Sequence, residues 1–279
     1  MFDKLSYDVF IADPVPQDVT DLVPNGDKRM FSPLSITLVS GDRDAVLVDP
    51  PMTIAQTAAV GDWVESTGKN LTHIFVTHGH GDHWFGSAEL AERFGAEVVA
   101  TAGTIEQMHR NLAIREFFWD ALFPGQIPAT DVVATEVAGG TIGLEGHLLT
   151  VVDVGHTDTD DTSVLHVPDL DLVVAGDVIY NGVHQFLREA QGDGIGAWLD
   201  AIDTVESLRP RLVVAGHKDK GLDDDAERTV RETREYLLAA RTLLAEETTA
   251  LGFFNAMLDR FPTRLNPGAL WGGATALYP

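Results

Sequence analysis

Three histidines and an aspartate fall within a few residues of one another in Thr77-His78-Gly79-His80-Gly81-Asp82-His83-Trp84. Imidazole and carboxylate are the donors that hold zinc, and they also suit iron and manganese. The glycines between them let the backbone bend tightly and aim the rings inward. A lone histidine pair is commonplace on a surface or in a satisfied core, whereas four donors in this pattern read as a metal motif. Further along, Val154-Gly155-His156-Thr157, Ala175-Gly176-Asp177 and Ala215-Gly216-His217 each set a donor just beyond an apolar run. The candidate ligands are therefore His78, His80, Asp82, His83, His156, Asp177 and His217. The sequence has no cysteine, which removes thiolate ligands, disulfides and a cysteine nucleophile.

These donors need rigid elements behind them. Short runs rich in Val and Ile recur at Ile36 to Val39, Ala45 to Val48, Ile74 to Val76, Val98 to Ala100, Leu148 to Val152, Leu172 to Ala175 and Leu212 to Ala215. Runs of this length and composition predict buried strands. Helical spacing fills Thr53 to Ser66, Trp84 to Phe94, Thr104 to Leu122 and Ala197 to Leu208, and alternation of the two predicts sheets covered by helices. Four strand ends carry a ligand or its supporter: Asp49 after Val48, His78 after Thr77, Asp177 after Gly176 and His217 after Gly216. Strand ends hold side chains more firmly than free loops do. From Asp223 to Phe261 the leucines and Val230 recur at seven-residue spacing between Glu and Arg, predicting a long amphipathic helix or a helical pair. Its apolar face packs on the core, with a homodimer contact as the alternative.

With 279 residues and 44% hydrophobic content, the chain is read as a single domain, 1–279, with a C-terminal helical segment over about 220–262. The formal charge of −24, from 43 acidic and 19 basic residues, repels phosphate backbones and anionic lipid, so neither nucleic acid nor membrane is expected as a partner. No apolar run approaches the roughly 20 residues of a membrane span. The segment from Met1 to Phe10 lacks the basic and apolar parts of a secretory signal, which makes a cytoplasmic address the expectation.

The order His-x-His-x-Asp-His, then Gly-His, Gly-Asp and Gly-His, all at strand ends between about Ile36 and Lys218, resembles the metallo-β-lactamase superfamily. The resemblance implies a four-layer αβ/βα sandwich of class α/β, with metals in a cleft along one sheet edge. It implies His78, His80 and His156 around a first ion, Asp82, His83 and His217 around a second, and Asp177 between them. Asp49 would orient ligands rather than bind. The cofactors expected are two Zn²⁺, with Mn²⁺, Fe²⁺ or Co²⁺ compatible with the same donors. Such a pair about 3.5–4 Å apart lowers the pKa of a shared water and supplies hydroxide for attack on a carbonyl. Asp82 would hold the second ion and orient the hydroxide or take its proton.

Asp177 matches the bridging aspartate of thioesterases, lactonases and phosphodiesterases of that superfamily, where true β-lactamases generally have none. Tyr180, in Asp177-Val178-Ile179-Tyr180, is similar to the tyrosine of acyl-homoserine lactonases, and a phenol there can donate to a developing oxyanion. The expected function is thus metal-dependent hydrolysis of a small carboxylic ester or lactone, with Asp82 and Tyr180 catalytic. The alternatives are a glyoxalase-type thioesterase, a β-lactamase-like amide hydrolase and a mononuclear iron persulfide dioxygenase. His184, Phe186, Trp84, Lys218, Lys220, the aromatic segment Phe117 to Phe123 and the tail Trp271 to Pro279 are candidates for pocket walls or contacts.

Overall fold

Most of the apolar runs form strands buried on both faces, the run Leu148 to Val152 excepted, where Leu148 is 60% exposed, and the computed structural model describes them within residues 4–278. In chain order the first strands are β1 (Ser6–Ala12), β2 (Leu34–Ser40), β3 (Asp44–Val48), β4 (Asn70–Phe75), β5 (Glu97–Ala100) and β6 (Thr135–Glu136). There follow β7 (Thr141–Leu144), β8 (His147–Gly155), β9 (Thr162–Val167), β10 (Leu172–Val174), β11 (Tyr180–Asn181), β12 (Leu212–Val214) and β13 (His217–Lys218). The helices in the first half are α1 (Ile54–Ser66), α2 (Ser87–Phe94), α3 (Ala102–Ile114) and α4 (Trp119–Leu122). Those in the second half are α5 (Gly194–Ser207), α6 (Ala226–Glu246), α7 (Ala250–Arg260) and α8 (Pro267–Leu277). Thr53, Thr101, Asp225 and Thr249 each accept a first-turn backbone N–H and so fix where α1, α3, α6 and α7 begin.

One sheet has the order β11-β13-β2-β3-β4-β5-β6, with β1 antiparallel to β2, and the other the order β12-β10-β9-β8-β7. Strand alternation sends each strand's side chains to two different cores. Val46 and Val48 of β3 meet Leu165 and Val167 of β9 and Leu172 and Val174 of β10 between the sheets. Ala45 and Leu47 point the other way, onto Val60 and Val64 of α1, Leu90 of α2 and Met108 of α3. On the far side, Val164, Val173 and Val213 pack with Trp198, Ile202, Leu237 and Phe253. The layers are therefore helix, sheet, sheet, helix, the αβ/βα sandwich that the residues imply.

Two helical expectations are refined. The stretch Thr104 to Leu122 breaks into α3 and α4, because Arg115 turns away to bind Asp120, Asp131 and the Pro128 carbonyl. The stretch Asp223 to Phe261 is the pair α6 and α7, and its apolar face packs on the second sheet's outer side. Among the described residues no helix is long and apolar enough to cross a membrane. Pro279 and Met1 to Asp3 lie outside the described residues.

Candidate metal centre

Beyond the last residue of β3, Asp49 adopts a left-handed conformation, φ 56°. Its carboxylate accepts the backbone N–H and the hydroxyl of Thr77, both at 2.8 Å, and so ties the end of β3 to the end of its parallel neighbour β4. His78 follows directly. The chain then makes a single 3-10 turn, Gly81–His83, that returns Asp82 and His83 toward His78. Asp177 lies in a second 3-10 turn, Gly176–Val178, beyond β10, and His217 opens β13 just after β12. Pairing of β13 with β11 sets Tyr180 opposite His217.

Around one point the donor atoms of Asp82, His83, His217 and Asp177 converge. His83 Nε2 is 3.3 Å from both Asp82 Oδ2 and Asp177 Oδ1, and His217 Nε2 is 3.4 Å from Asp82 Oδ2 and 3.2 Å from Asp177 Oδ2. Around a neighbouring point stand His78, His80 and Asp158, with Asp158 Oδ2 2.9 Å from His80 Nδ1 and 3.9 Å from His78 Nε2. Donors on a tetrahedral ion with bonds of about 2.0–2.1 Å stand about 3.3 Å apart, so this spacing suits ligation. His78, His83 and Asp177 form a third overlapping trio that joins the two points.

Each ring is held from outside. His83 Nδ1 is 3.1 Å from Asp49 Oδ2, His217 Nδ1 is 2.9 Å from the Pro33 carbonyl, His78 Nδ1 is 3.0 Å from the Thr77 hydroxyl and His80 Nε2 is 3.1 Å from Glu189 Oε1. A ring that donates outward presents its other nitrogen inward as a ligand. Of the candidate ligands, His78 Nε2, His83 Nε2, His156 Nε2 and Asp177 Oδ1 are buried and have no hydrogen-bond partner. Asp82, Asp158 and Asp177 are buried too, and the basic groups within ion-pair range of them among the described residues are histidines. Burying a carboxylate costs several kcal/mol unless a cation compensates it. The orphaned atoms and the donor chemistry fit two divalent ions.

The protonation preferences follow from the same crowding. Burial opposes charge on His217, but Asp177 and Asp82 outweigh it and hold the ring up at about 10. For His83 burial is likewise overcome by Asp82, Asp177 and Asp49. Burial raises Asp177, and His217 with His83 more than reverses this. His78, by contrast, is driven well down by burial and by the neighbouring His83. Protons on imidazole thus offset the buried carboxylates where no ion does.

Of the ligand set read from the sequence, six residues stand together: His78, His80, Asp82, His83, Asp177 and His217. His156 is not grouped with them: its Nδ1 pairs with the exposed Asp160 at 2.7 Å, while its Nε2 is buried with no hydrogen-bond partner, 2.9 Å from where a Cβ on Gly194 would lie. Asp158, two residues on, faces His78 and His80 instead. It and Glu189 were not singled out by sequence, because both sit in irregular loops rich in acids. Tyr180 is buried with its hydroxyl donating to Asp177 Oδ2.

A cavity of about 410 Å³ opens onto the centre, where His80, Asp82, Asp158, Asp177, Tyr180 and His217 form its floor. Its walls are mixed, with Phe31, Ile114, Phe118, Trp119, Leu122 and Phe186 beside Arg29, Gln107, Arg110 and Asn111, and with Arg188 over the Phe118 ring. The aromatic segment and Phe186 therefore do line a pocket. His184 does not: it is buried, with Nδ1 3.0 Å from the Tyr236 hydroxyl. Trp84 is also buried, donating to the Gly79 carbonyl at 2.9 Å, while Lys218 pairs with Asp224 and Lys220 is exposed.

Known proteins agree with this architecture. The family model described as the metallo-beta-lactamase superfamily matches residues 30–217, more than half of the chain. Among curated relatives, a UPF0173 metal-dependent hydrolase of Thermofilum pendens is 27% identical, over 54% of this chain and 64% of its own. A hydroxyacylglutathione hydrolase of Acidiphilium cryptum is 34% identical over 38% of this chain and 40% of its own. These matches span less than two thirds of either relative. A metallo-beta-lactamase family protein of Thermus thermophilus superimposes with a TM-score of 0.65 at 19% identity, covering 96% of this chain and 91% of that one. A metallo-beta-lactamase from Pontibacter korlensis does so with a TM-score of 0.57 at 19% identity, over 84% and 99%. At such identities the structural likeness concerns the fold alone, but with the family match and the convergent histidines and aspartates it leads to one conclusion: the chain belongs to the metallo-beta-lactamase superfamily.

Proposed function

We propose that the protein is a metal-dependent hydrolase that cleaves a carboxylic ester or lactone at this centre. The observation that carries the reading is Tyr180, a buried phenol at the cavity floor whose hydroxyl reaches Asp177 between the two donor groups. Two divalent ions, most simply zinc, would supply a hydroxide near neutral pH and polarise the substrate carbonyl. Asp82, His83 and His217 would hold one, His78 and His80 with a third donor the other, and Asp177 both. Burial and the Asp177 charge push the Tyr180 phenol well above its ordinary pKa, so it stays protonated and can donate to a developing oxyanion or leaving oxygen. Asp82 lines the cavity and is held ionised, against burial, by His83 and His217, which suits it to orient a proton on the attacking water. The apolar part of the wall, Phe31, Ile114, Phe118, Trp119, Leu122 and Phe186, would seat the acyl portion of a small substrate.

The test sets an acyl-homoserine lactone, S-lactoylglutathione and a chromogenic cephalosporin beside one another with zinc-loaded and manganese-loaded protein. Preference for the lactone is expected, with Tyr180→Phe lowering kcat about 100-fold and leaving KM nearly unchanged. Efficient cleavage of either other probe without lactone turnover would overturn it. A thioesterase is the second reading, favoured by the partial likeness to the Acidiphilium hydrolase; turnover of S-lactoylglutathione is its signature.

A further inference from the structure

The cavity over the centre has two unlike parts. Its floor is the set of acids and imidazoles, while its wall carries three arginines, Arg29, Arg110 and Arg188. In a chain of formal charge −24 a guanidinium has many carboxylates to choose from, and two of the three have found one. Arg29 pairs with Asp21 at 2.8 Å and Arg110 with Glu106 at 2.6 Å. Arg188 has none: among the described residues no carboxylate lies within ion-pair range of its guanidinium, which instead rests over the Phe118 ring, Cζ 5.7 Å from the centroid. A guanidinium stacked on an aromatic face is steadied by it and keeps its N–H edge free. The loop after β11 sets this arrangement. Leu187 is buried in the core behind, so that Phe186 and Arg188 on either side of it line the cavity. The Phe186 ring stands 6.1 Å from that of His80, and the next residue, Glu189, is already engaged with His80 and the Thr159 hydroxyl. One short segment thus borders the donor set and presents an unneutralised cation to the same cavity.

We infer that Arg188 is a specificity-determining residue that receives a carboxylate carried by the substrate away from the bond that is cleaved. The inference rests on the ester-or-lactone reading and narrows it to substrates whose acyl portion ends in an anionic group. Arg188 grades substrates of one bond type and does not choose between bond types. Two parallel N–H···O bonds from a guanidinium match the two oxygens of a carboxylate. The acidic exterior repels an anion, so a substrate of this class needs a local cation to hold it, and Arg188 supplies one at the cavity wall. Because Arg188 is exposed, the gain is about 10-fold, below that of a fully buried pair.

The experiment compares the nitrophenyl half-ester of adipic acid with nitrophenyl hexanoate, which share chain length and leaving group and differ only in ending on a carboxylate or a methyl. The zinc-loaded full chain is expected to favour the half-ester about 10-fold in kcat/KM, with the difference in KM. Arg188→Gln should bring the ratio close to one, and Arg188→Lys should keep part of it. Calorimetric binding of adipate and hexanoate to the same proteins needs no turnover: adipate is expected to bind about 10-fold more tightly wherever the cation is kept, and to lose that advantage in Arg188→Gln. A guanidinium that only packs on Phe118 would, when replaced, lower both members of each pair alike and leave the ratios intact. Equal binding of adipate and hexanoate by the unaltered protein, or an adipate preference that survives Arg188→Gln, would overturn the inference. Cleavage of neither ester, with adipate still preferred, would overturn the ester-or-lactone reading and leave the role of Arg188 standing.

Discussion

Asp49 shows how far the centre depends on a residue that faces none of the inward donor atoms except through others. One carboxylate takes the Thr77 backbone N–H, the Thr77 hydroxyl and the outer nitrogen of His83. Through Thr77 it also reaches His78, so both donor groups are oriented from one point. Outer-sphere partners of this kind typically set 10–100-fold in metal affinity. Asp49→Ala should therefore weaken binding of both ions by about 10–100-fold, measured by competition with a chromophoric chelator, with Asp49→Asn less severe; unchanged affinity in the alanine variant would show that the ring orientations are fixed elsewhere. At this scale the sequence was largely readable. The clustered histidines and the Gly-Asp and Gly-His strand ends announced themselves by type and spacing. Asp158 did not, because in Thr157-Asp158-Thr159-Asp160-Asp161 any of three aspartates has the right chemistry, and only the hydroxyl-locked path of the loop selects one.

Among the elements, strands buried on both faces were legible because they read as unbroken apolar runs. β9 escaped notice although it is buried, because Thr162, Ser163 and His166 interrupt its apolar residues, and other strands escaped for different reasons. β1 is half-exposed and irregular in burial, while β11 and β13 are two residues each and exist through pairing around Tyr180 and His217. The glycines of the motif also have a different cause from the one their type suggests. Neither Gly79 nor Gly81 is among the residues with positive φ; instead a Cβ at Gly79 would come within 2.3 Å of Gln107 Cβ, and one at Gly81 within 2.0 Å of the Phe85 ring. They are small so that α3 and Phe85 can close over the ligand loop. Beneath the cavity, the loop after β11 packs His184 against Tyr236 of α6, where burial first and the Arg264 guanidinium second hold its pKa at about 3. The unfolded chain protonates this ring near 6.5, so between about 6.5 and 3 the unfolded state binds more protons and stability falls as pH falls. The contribution is fully present above that window. The slope from one such group approaches about 1.4 kcal/mol per pH unit. Denaturant titrations at pH 7 and pH 5 should show His184→Asn losing less stability on acidification than the unaltered protein; equal losses would mean the ring is not kept neutral by its packing.

The molecule as a whole sets a strongly acidic exterior, at a formal charge of −24, around a centre built to take cations. Surface acids are solvated and screened, whereas Asp82, Asp158 and Asp177 are withdrawn from water and, among the described residues, have only imidazoles as basic partners within ion-pair range. The two-sheet sandwich makes that possible, because donors from the ends of both sheets converge on one cleft floored by rigid strands. Fold and site thus share a cause: the apolar runs that make the strands bury their ends, and buried donors favour an ion over water. Native mass spectrometry of the purified full chain, before and after chelator treatment, tests this most directly. The expected spectrum carries two divalent ions per chain that the chelator removes and added Zn²⁺ or Mn²⁺ restores; a chain that carries none and takes up none would contradict the account.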